Sequence, residues 1–147
     1  MTTKTFSINA RVYYEDTDAG GIVYYANYLK FCERARTEWL RGMGVSQSSM
    51  LEDKKGFVIT NIKGNYIGSA RLDDMLKITC IPTKARFASL KIYQQVYNQH
   101  DELLFEFECS IAFVDLAKHK PSTMPKEAIE YIKQFVPEDV SHLEVKI

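Results

Sequence analysis

Neither sign of charge is in excess: Lys plus Arg and Asp plus Glu number 19 each among 147 residues. That balance gives no support for nucleic acid or an anionic membrane surface as partner, because both select clustered positive charge. Long hydrophobic runs are missing as well. No apolar stretch approaches the ~20 residues of a membrane span, and the first six residues lack the basic and apolar blocks of a secretory signal. The expectation is a soluble, cytoplasmic protein. Cysteine is scarce: Cys32, Cys80 and Cys109 are odd in number, far apart and set in apolar patterns, which suits reduced core thiols better than a bridge or a metal site. With no repeat, low-complexity run or linker, the chain reads as one domain over residues 1–147, with a core of about 6–136 and a tail, 137–147, that carries no pattern.

What is present is periodicity. Residues 6–14 mix aromatic and β-branched side chains with polar ones and predict a strand, stopped by the acidic, glycine-containing turn Glu15 to Gly21. From Tyr28 to Met43 the apolar positions Tyr28, Cys32, Ala35, Trp39 and Met43 recur every three or four residues, predicting an amphipathic helix capped by Gly42 and Gly44 in left-handed conformation. Ser46 is placed to cap a shorter helix running to about Asp53. The remainder reads mostly as strand. Leu103, Phe105, Phe107, Cys109, Ile111 and Phe113 alternate with Glu106, Glu108 and Ser110, the pattern of a long half-buried strand. Weaker strands cover 56–67, 75–81 and 88–97, Asn98 to Glu102 reads as a hairpin loop, and Pro125 opens a terminal helix striped by Ile129, Ile132, Phe135 and Val136. The predicted class is α+β, a long central helix wrapped by a curved antiparallel sheet of about five strands. Such a sheet leaves an edge unpaired and one helix flank thinly covered, so a homo-oligomer, a dimer or a tetramer, is expected.

The segment from Tyr13 to Tyr28 packs three carboxylates, two glycines and five tyrosines into the approach to the long helix. A solvated acidic turn with packing tyrosines accounts for the composition. A calcium loop fits Asp16, Asp18 and Gly21 but fails at Gly20 and Asn27, where ligands are required. A third reading is chemical. Gly20 and Gly21 let a ligand approach the backbone, and a helix start offers unpaired N–H groups at the positive end of its dipole. A thioester between them and Asp18 would meet a carboxylate on one side and an oxyanion-stabilising donor on the other.

The run Arg11 to Leu40, RVYYEDTDAGGIVYYANYLKFCERARTEWL, resembles the 4-hydroxybenzoyl-CoA thioesterase type of hotdog enzymes, and is most similar to bacterial acyl-CoA thioesterases associated with the Tol-Pal envelope system. ARLDDMLKI (Ala70 to Ile78) and VDLAKHKP (Val114 to Pro121) extend the resemblance over nearly the whole chain. It implies a hotdog fold and acyl-CoA thioester hydrolysis, with Asp18 as nucleophile or as base for water. It further implies polarisation of the carbonyl by the Tyr25 backbone N–H, Tyr14 near the reacting centre, and no cofactor beyond the coenzyme A carried by the substrate. Many Tol-Pal-associated members have histidine where this chain has Tyr25, while the hydroxybenzoyl enzymes have tyrosine, so the acyl preference stays open. Relatives carry basic and hydroxyl groups toward the coenzyme's phosphates in the region of Lys84, Arg86 and Ser89, with Lys118 and Lys120 as weaker candidates; a solvated hairpin explains the same residues. The acyl chain length is not legible, because the pocket walls depend on which faces of Phe57, Ile59, Ile62 and residues of a second copy line it.

His100, His119 and His142 sit in no triad or metal pattern, and no metal is expected. Their placement also opposes the hotdog dehydratases, which use histidine for proton transfer. The rival reading is a non-catalytic module of the same fold that binds acyl carrier protein or an envelope complex.

Overall fold

The computed structural model describes residues 3–44 and 47–146; the predicted cap Ser46 lies outside them. The elements in chain order are β1 (Ser7–Arg11), α1 (Asn27–Arg41), α2 (Gln47–Glu52), β2 (Lys55–Tyr66), β3 (Met75–Thr79), β4 (Ile81–Ala85), β5 (Ser89–Tyr97), β6 (Leu103–Asp115), β7 (Lys120–Pro121) and α3 (Lys126–Lys133). Every strand pairing is antiparallel, and the main order is β1-β3-β5-β6-β2. The α+β expectation holds: a curled sheet carries the long helix α1. Two further strands extend the five, β4 beside β5 and β7 beside β6.

The helix stripe behaves as its spacing predicts. Tyr28, Cys32, Ala35 and Trp39 are all buried and join one core with Leu76, Ile92, Phe105 and Phe107 of the sheet. Burial of that stripe against β-branched and aromatic side chains is what fixes α1 across the strands. The helix stops at Arg41, and its two following glycines differ from expectation. Gly44 adopts φ +79, whereas Gly42 is right-handed, and a Cβ on Gly42 would run into the Tyr131 hydroxyl of α3. Gly42 is there for space rather than for backbone sign.

A polar pin runs through this apolar contact. Arg36, nine-tenths buried on α1, donates to Gln94 Oε1 (2.9 Å) and lies over the Phe107 ring. Gln94 in turn donates to the carbonyls of Cys32 (3.0 Å) and Thr79 (3.1 Å). The second acceptor sits where the predicted strand 75–81 breaks into β3 and β4, so Gln94 ties the helix and the break together.

On β6 the inward row is apolar as predicted, but Glu108 is not solvated: it is 4% exposed, 3.5 Å from Lys91 Nζ, and accepts the Val145 N–H (3.2 Å). The patternless tail explains this, since it crosses the outer face of β4 and β5 and buries Val145.

Among the described residues strand β2 pairs with β6 alone and has no partner on its other side, and a bulge between Ile59 and Asn61 keeps Phe57, Ile59, Ile62, Gly64 and Tyr66 opposite the inward row of β6. Ile59, Ile62 and Tyr66 nevertheless remain about half exposed.

The Gln94 pin sets a test of stability. Gln94→Leu keeps the volume but strands the buried Arg36 guanidinium and takes a donor from the carbonyls of Cys32 and Thr79, so unfolding in urea should show a loss of about 3 kcal/mol.

Candidate active site

The predicted strand 6–14 ends earlier than expected. After Val12 the chain makes one 3-10 turn, Tyr14–Asp16, and then a tight hairpin in which Thr17 bridges Val23 and the Asp18 N–H donates to Ile22 C=O (2.9 Å). Gly21, at φ +80, supplies the left-handed corner.

The carboxylates of this segment have different duties. Asp16 accepts the Tyr13 N–H (2.8 Å) and so caps the 3-10 turn. Asp18 accepts the Gly20 N–H through Oδ1 (2.8 Å), while Oδ2 takes no protein donor among the described residues. A Cβ on Gly20 would stand 3.2 Å from Asp18 Oδ1, so this position favours a residue without one. One oxygen is thus held and the other is available, the arrangement needed for attack or for activating water.

Asp18 shares an open cleft of about 490 Å³ with Tyr14, Thr17, Ala19, Gly21 and Leu72. Tyr14 is 82% exposed, and Asp18 is itself exposed in the single chain. Tyr25 does not line this cleft. It stands beside the turn, tied to it through its neighbours: Tyr24 N–H and Asn27 Nδ2 both donate to Asp16 C=O (3.0 and 2.9 Å). Its own N–H has no protein acceptor among the described residues, and Ala26, at the cap position of α1, offers no side-chain acceptor. The start of α1 is therefore uncapped, with a free amide facing the positive end of the helix dipole.

The segment Ala70 to Ile78 buttresses this arrangement. Ala70 C=O accepts the Val23 N–H (2.9 Å), Ala70 N–H donates to the Tyr28 hydroxyl (2.9 Å), and Arg71 N–H donates to Asp74 (2.9 Å). Leu72, which no periodicity marks, forms one wall of the Asp18 cleft.

Lys84, Arg86 and Ser89 do converge, in a cleft of about 160 Å³ that also takes in Lys91 and Ser110. Ser89 opens β5, inside the strand expected over 88–97, whereas Lys84 belongs to β4, which extends past the expected strand end at 81, and Arg86 lies in the turn between the two strands. Lys91 was missed because its strand reads as apolar and polar residues mixed. Lys118 and Lys120 are not among the residues lining this cleft and flank the left-handed His119 on the β6–β7 turn. A third groove, about 140 Å³, runs between α1 and β2; Phe57 and Ile59 line it with Arg36, Leu40 and Ile111, whereas Ile62 lies outside it.

A thiol nucleophile does not fit. Burial pushes the Cys32 thiol up to about 12, and Cys80 is likewise driven upward by full burial. None of the three histidines lines the Asp18 cleft.

Comparison with known proteins follows this geometry. Residues 12–132 match the family model described as the thioesterase-like superfamily. The chain is 44% identical over 134 residues to the acyl-CoA thioester hydrolase YbgC of Escherichia coli O6:H1, covering 91% of this chain and all of that one. Its fold is similar to that of a 1,4-dihydroxy-2-naphthoyl-CoA thioesterase from Synechocystis, with TM-score 0.83, 20% identity and coverage of 88% and 96% of the two chains. It is also similar to that of a Staphylococcus aureus protein solved in complex with CoA, with TM-score 0.88, 15% identity and coverage of 100% and 96%.

The turn after β6 sets a pH prediction. Asp115 is held below the usual carboxylate range chiefly by the Lys118 N–H, and then by Lys55 Nζ at 3.1 Å. Its contribution is complete above the unfolded value near ~3.9 and disappears as pH falls through the lower folded value. Asp115→Asn should therefore flatten the acid side of the stability curve below about pH 5, measured by urea unfolding.

Proposed function

The chain belongs to the thioesterase-like superfamily, and from that membership we propose that it hydrolyses acyl-CoA thioesters to a free acid and coenzyme A. The observation that carries the reading is a carboxylate with a free oxygen, Asp18, on the hairpin that leads into an uncapped helix start whose Tyr25 amide, beside that hairpin though outside the Asp18 cleft, has no protein acceptor among the described residues. The likeness to an acyl-CoA thioester hydrolase over most of the chain supports it.

In this mechanism the thioester carbonyl lies with its oxygen on the Tyr25 N–H, where negative charge develops as the tetrahedral intermediate forms. Asp18 Oδ2 acts from the other side. Either it attacks the carbonyl carbon, expelling the thiolate of coenzyme A and leaving an anhydride that water opens, or it takes a proton from the water that attacks. Gly20 holds the other oxygen in place, and Tyr14 forms the cleft wall nearest the reacting group. The phosphates of the coenzyme are assigned to the cleft of Lys84, Arg86 and Ser89, where two cations and a hydroxyl meet acceptor oxygens without a metal. The acyl group is assigned to the groove that Phe57 and Ile59 begin.

The open Asp18 cleft and the bare edge of β2 point the same way. A 12-residue edge strand with Ile59, Ile62 and Tyr66 half exposed is a liability unless covered, and a second copy pairing there would cover it and close the acyl groove. The reading therefore carries with it a homodimer or a tetramer built from it, acting in the cytoplasm, with a link to the Tol-Pal system as a further expectation.

Thiol release from a panel of acyl-CoAs tests the mechanism. Asp18→Asn should lower kcat by about 10³-fold or more with folding intact; equal turnover by variant and parent would remove Asp18 from the chemistry, and binding of acyl carrier protein without hydrolysis would favour the module reading instead. Turnover in oxygen-18 water bears on the two routes: label entering the Asp18 carboxylate requires an anhydride opened at the Asp18 carbonyl, and no label entering it under any condition argues against the anhydride.

A further inference from the structure

The start of α1 has little of its own to hold it. Ala26 provides no cap, and Tyr25 is 62% exposed. The bonds from Tyr24 and Asn27 to Asp16 tie it only to the exposed 3-10 turn. The buried Tyr28 packs on Phe105 of the sheet, but the Tyr25 backbone itself receives one side-chain hydrogen bond from a strand among the described residues: the hydroxyl of Tyr66, the last residue of β2, donates to the Tyr25 carbonyl at 3.0 Å. The ring that carries this hydroxyl is firmly seated. It packs at 4.7 Å from the Phe105 ring and 5.6 Å from that of Tyr28, both in the core, and meets Tyr25 edge-on at 6.3 Å. Gly64, two residues earlier, leaves room for the same Phe105 ring, since a Cβ there would come within 3.1 Å of it.

We propose that Tyr66 is a positioning residue, whose hydroxyl locks the Tyr25 peptide so that the adjoining N–H faces the thioester carbonyl. This rests on the reading of that N–H as the oxyanion donor. The carbonyl of residue 25 lies in the peptide to Ala26 and its N–H in the peptide from Tyr24, the two joined through φ and ψ at one Cα, so fixing the carbonyl narrows the torsions left open to the N–H. Without the bond, an exposed and uncapped segment samples other torsions, and the fraction of molecules presenting the donor in line falls. Burial pushes the Tyr66 phenol above its ordinary value near 10, so it remains a donor throughout the neutral range. The role belongs to the transition state. Ground-state binding, set by the coenzyme cleft and the acyl groove, does not pass through Tyr66's hydroxyl, so its loss falls on kcat.

Tyr66→Phe tests this, because it keeps the ring and its packing on Phe105 and Tyr28 while deleting one oxygen. Using the full chain and whichever acyl-CoA of the panel turns over fastest, kcat should fall on the order of tenfold, less than the ~10²–10³ expected when an oxyanion donor is itself removed. KM and the thermal midpoint should stay at the parent values. Tyr66→Leu, which loses the ring as well, should lower the midpoint and kcat together and so report what packing alone contributes. Unchanged kcat in Tyr66→Phe, or a KM rise that accounts for the whole loss in kcat/KM, overturns the positioning role. Asp18→Asn run beside it keeps the two readings apart. If Asp18→Asn is inactive and Tyr66→Phe matches the parent, only the role of Tyr66 falls; if Asp18→Asn turns over normally, the site itself has been misassigned.

Discussion

Burial of one face of α1 against the sheet is the constraint from which the site follows. The helix is anchored through its middle, where Phe31, Ala35 and Trp39 are almost fully enclosed and Arg36 reaches Gln94. Its first turn is anchored by the buried Tyr28 and follows directly on the Asp18 hairpin, with no side-chain cap at Ala26. In an ordinary helix a serine or aspartate at the cap position would recover about 1 kcal/mol there. Ala26 forgoes that, and the Tyr25 amide beside it has no protein acceptor among the described residues, which is the feature the proposed mechanism uses.

Around this point the acidic turn divides its labour by geometry, since Asp16 and Asp18 are chemically alike. Asp16 is bound to the backbone that precedes it and Asp18 to the backbone that follows it, so the first closes a turn and the second stands at the tip of one. Because the hairpin is held by Val23 to Ala70 and Ile22 to Arg71, the carboxylate rests on a loop braced from a distant part of the chain. Such bracing gives a loop residue the precision that a strand or helix would supply.

The fold was readable wherever one periodicity ran unbroken. The stripe of α1 and the alternation of β6 report burial directly, and both were placed within a residue or two. Asp18, Lys84, Arg86 and Ser89 were legible as candidates because a resemblance supplied their roles and the turn chemistry supplied a reason. Other features depended on contacts between segments remote in sequence. Glu108 looked solvated because strand alternation cannot announce that the last residues will cover the opposite face. The break between β3 and β4 falls in a run that reads as continuous, and Leu72, Lys91 and Tyr66 gain their positions only when the strands are assembled. Gly42 was read for its backbone freedom when the reason for it is the hydroxyl of Tyr131, 89 residues later along the chain.

The bulge in β2 has a consequence beyond its local bend. Thr60 is the one residue of that strand set out of step, two positions on β2 being spent against one on β6, so the residues after it face as though it were not counted. Were Thr60 paired in step like its neighbours, the second half of the strand would be turned over by half a repeat: Ile62, Gly64 and Tyr66 would point away from the helix, and Lys63 and Asn65 would turn inward. A single uncounted residue thus acts as the phase reference that aims a phenol at the mouth of the helix some six positions downstream.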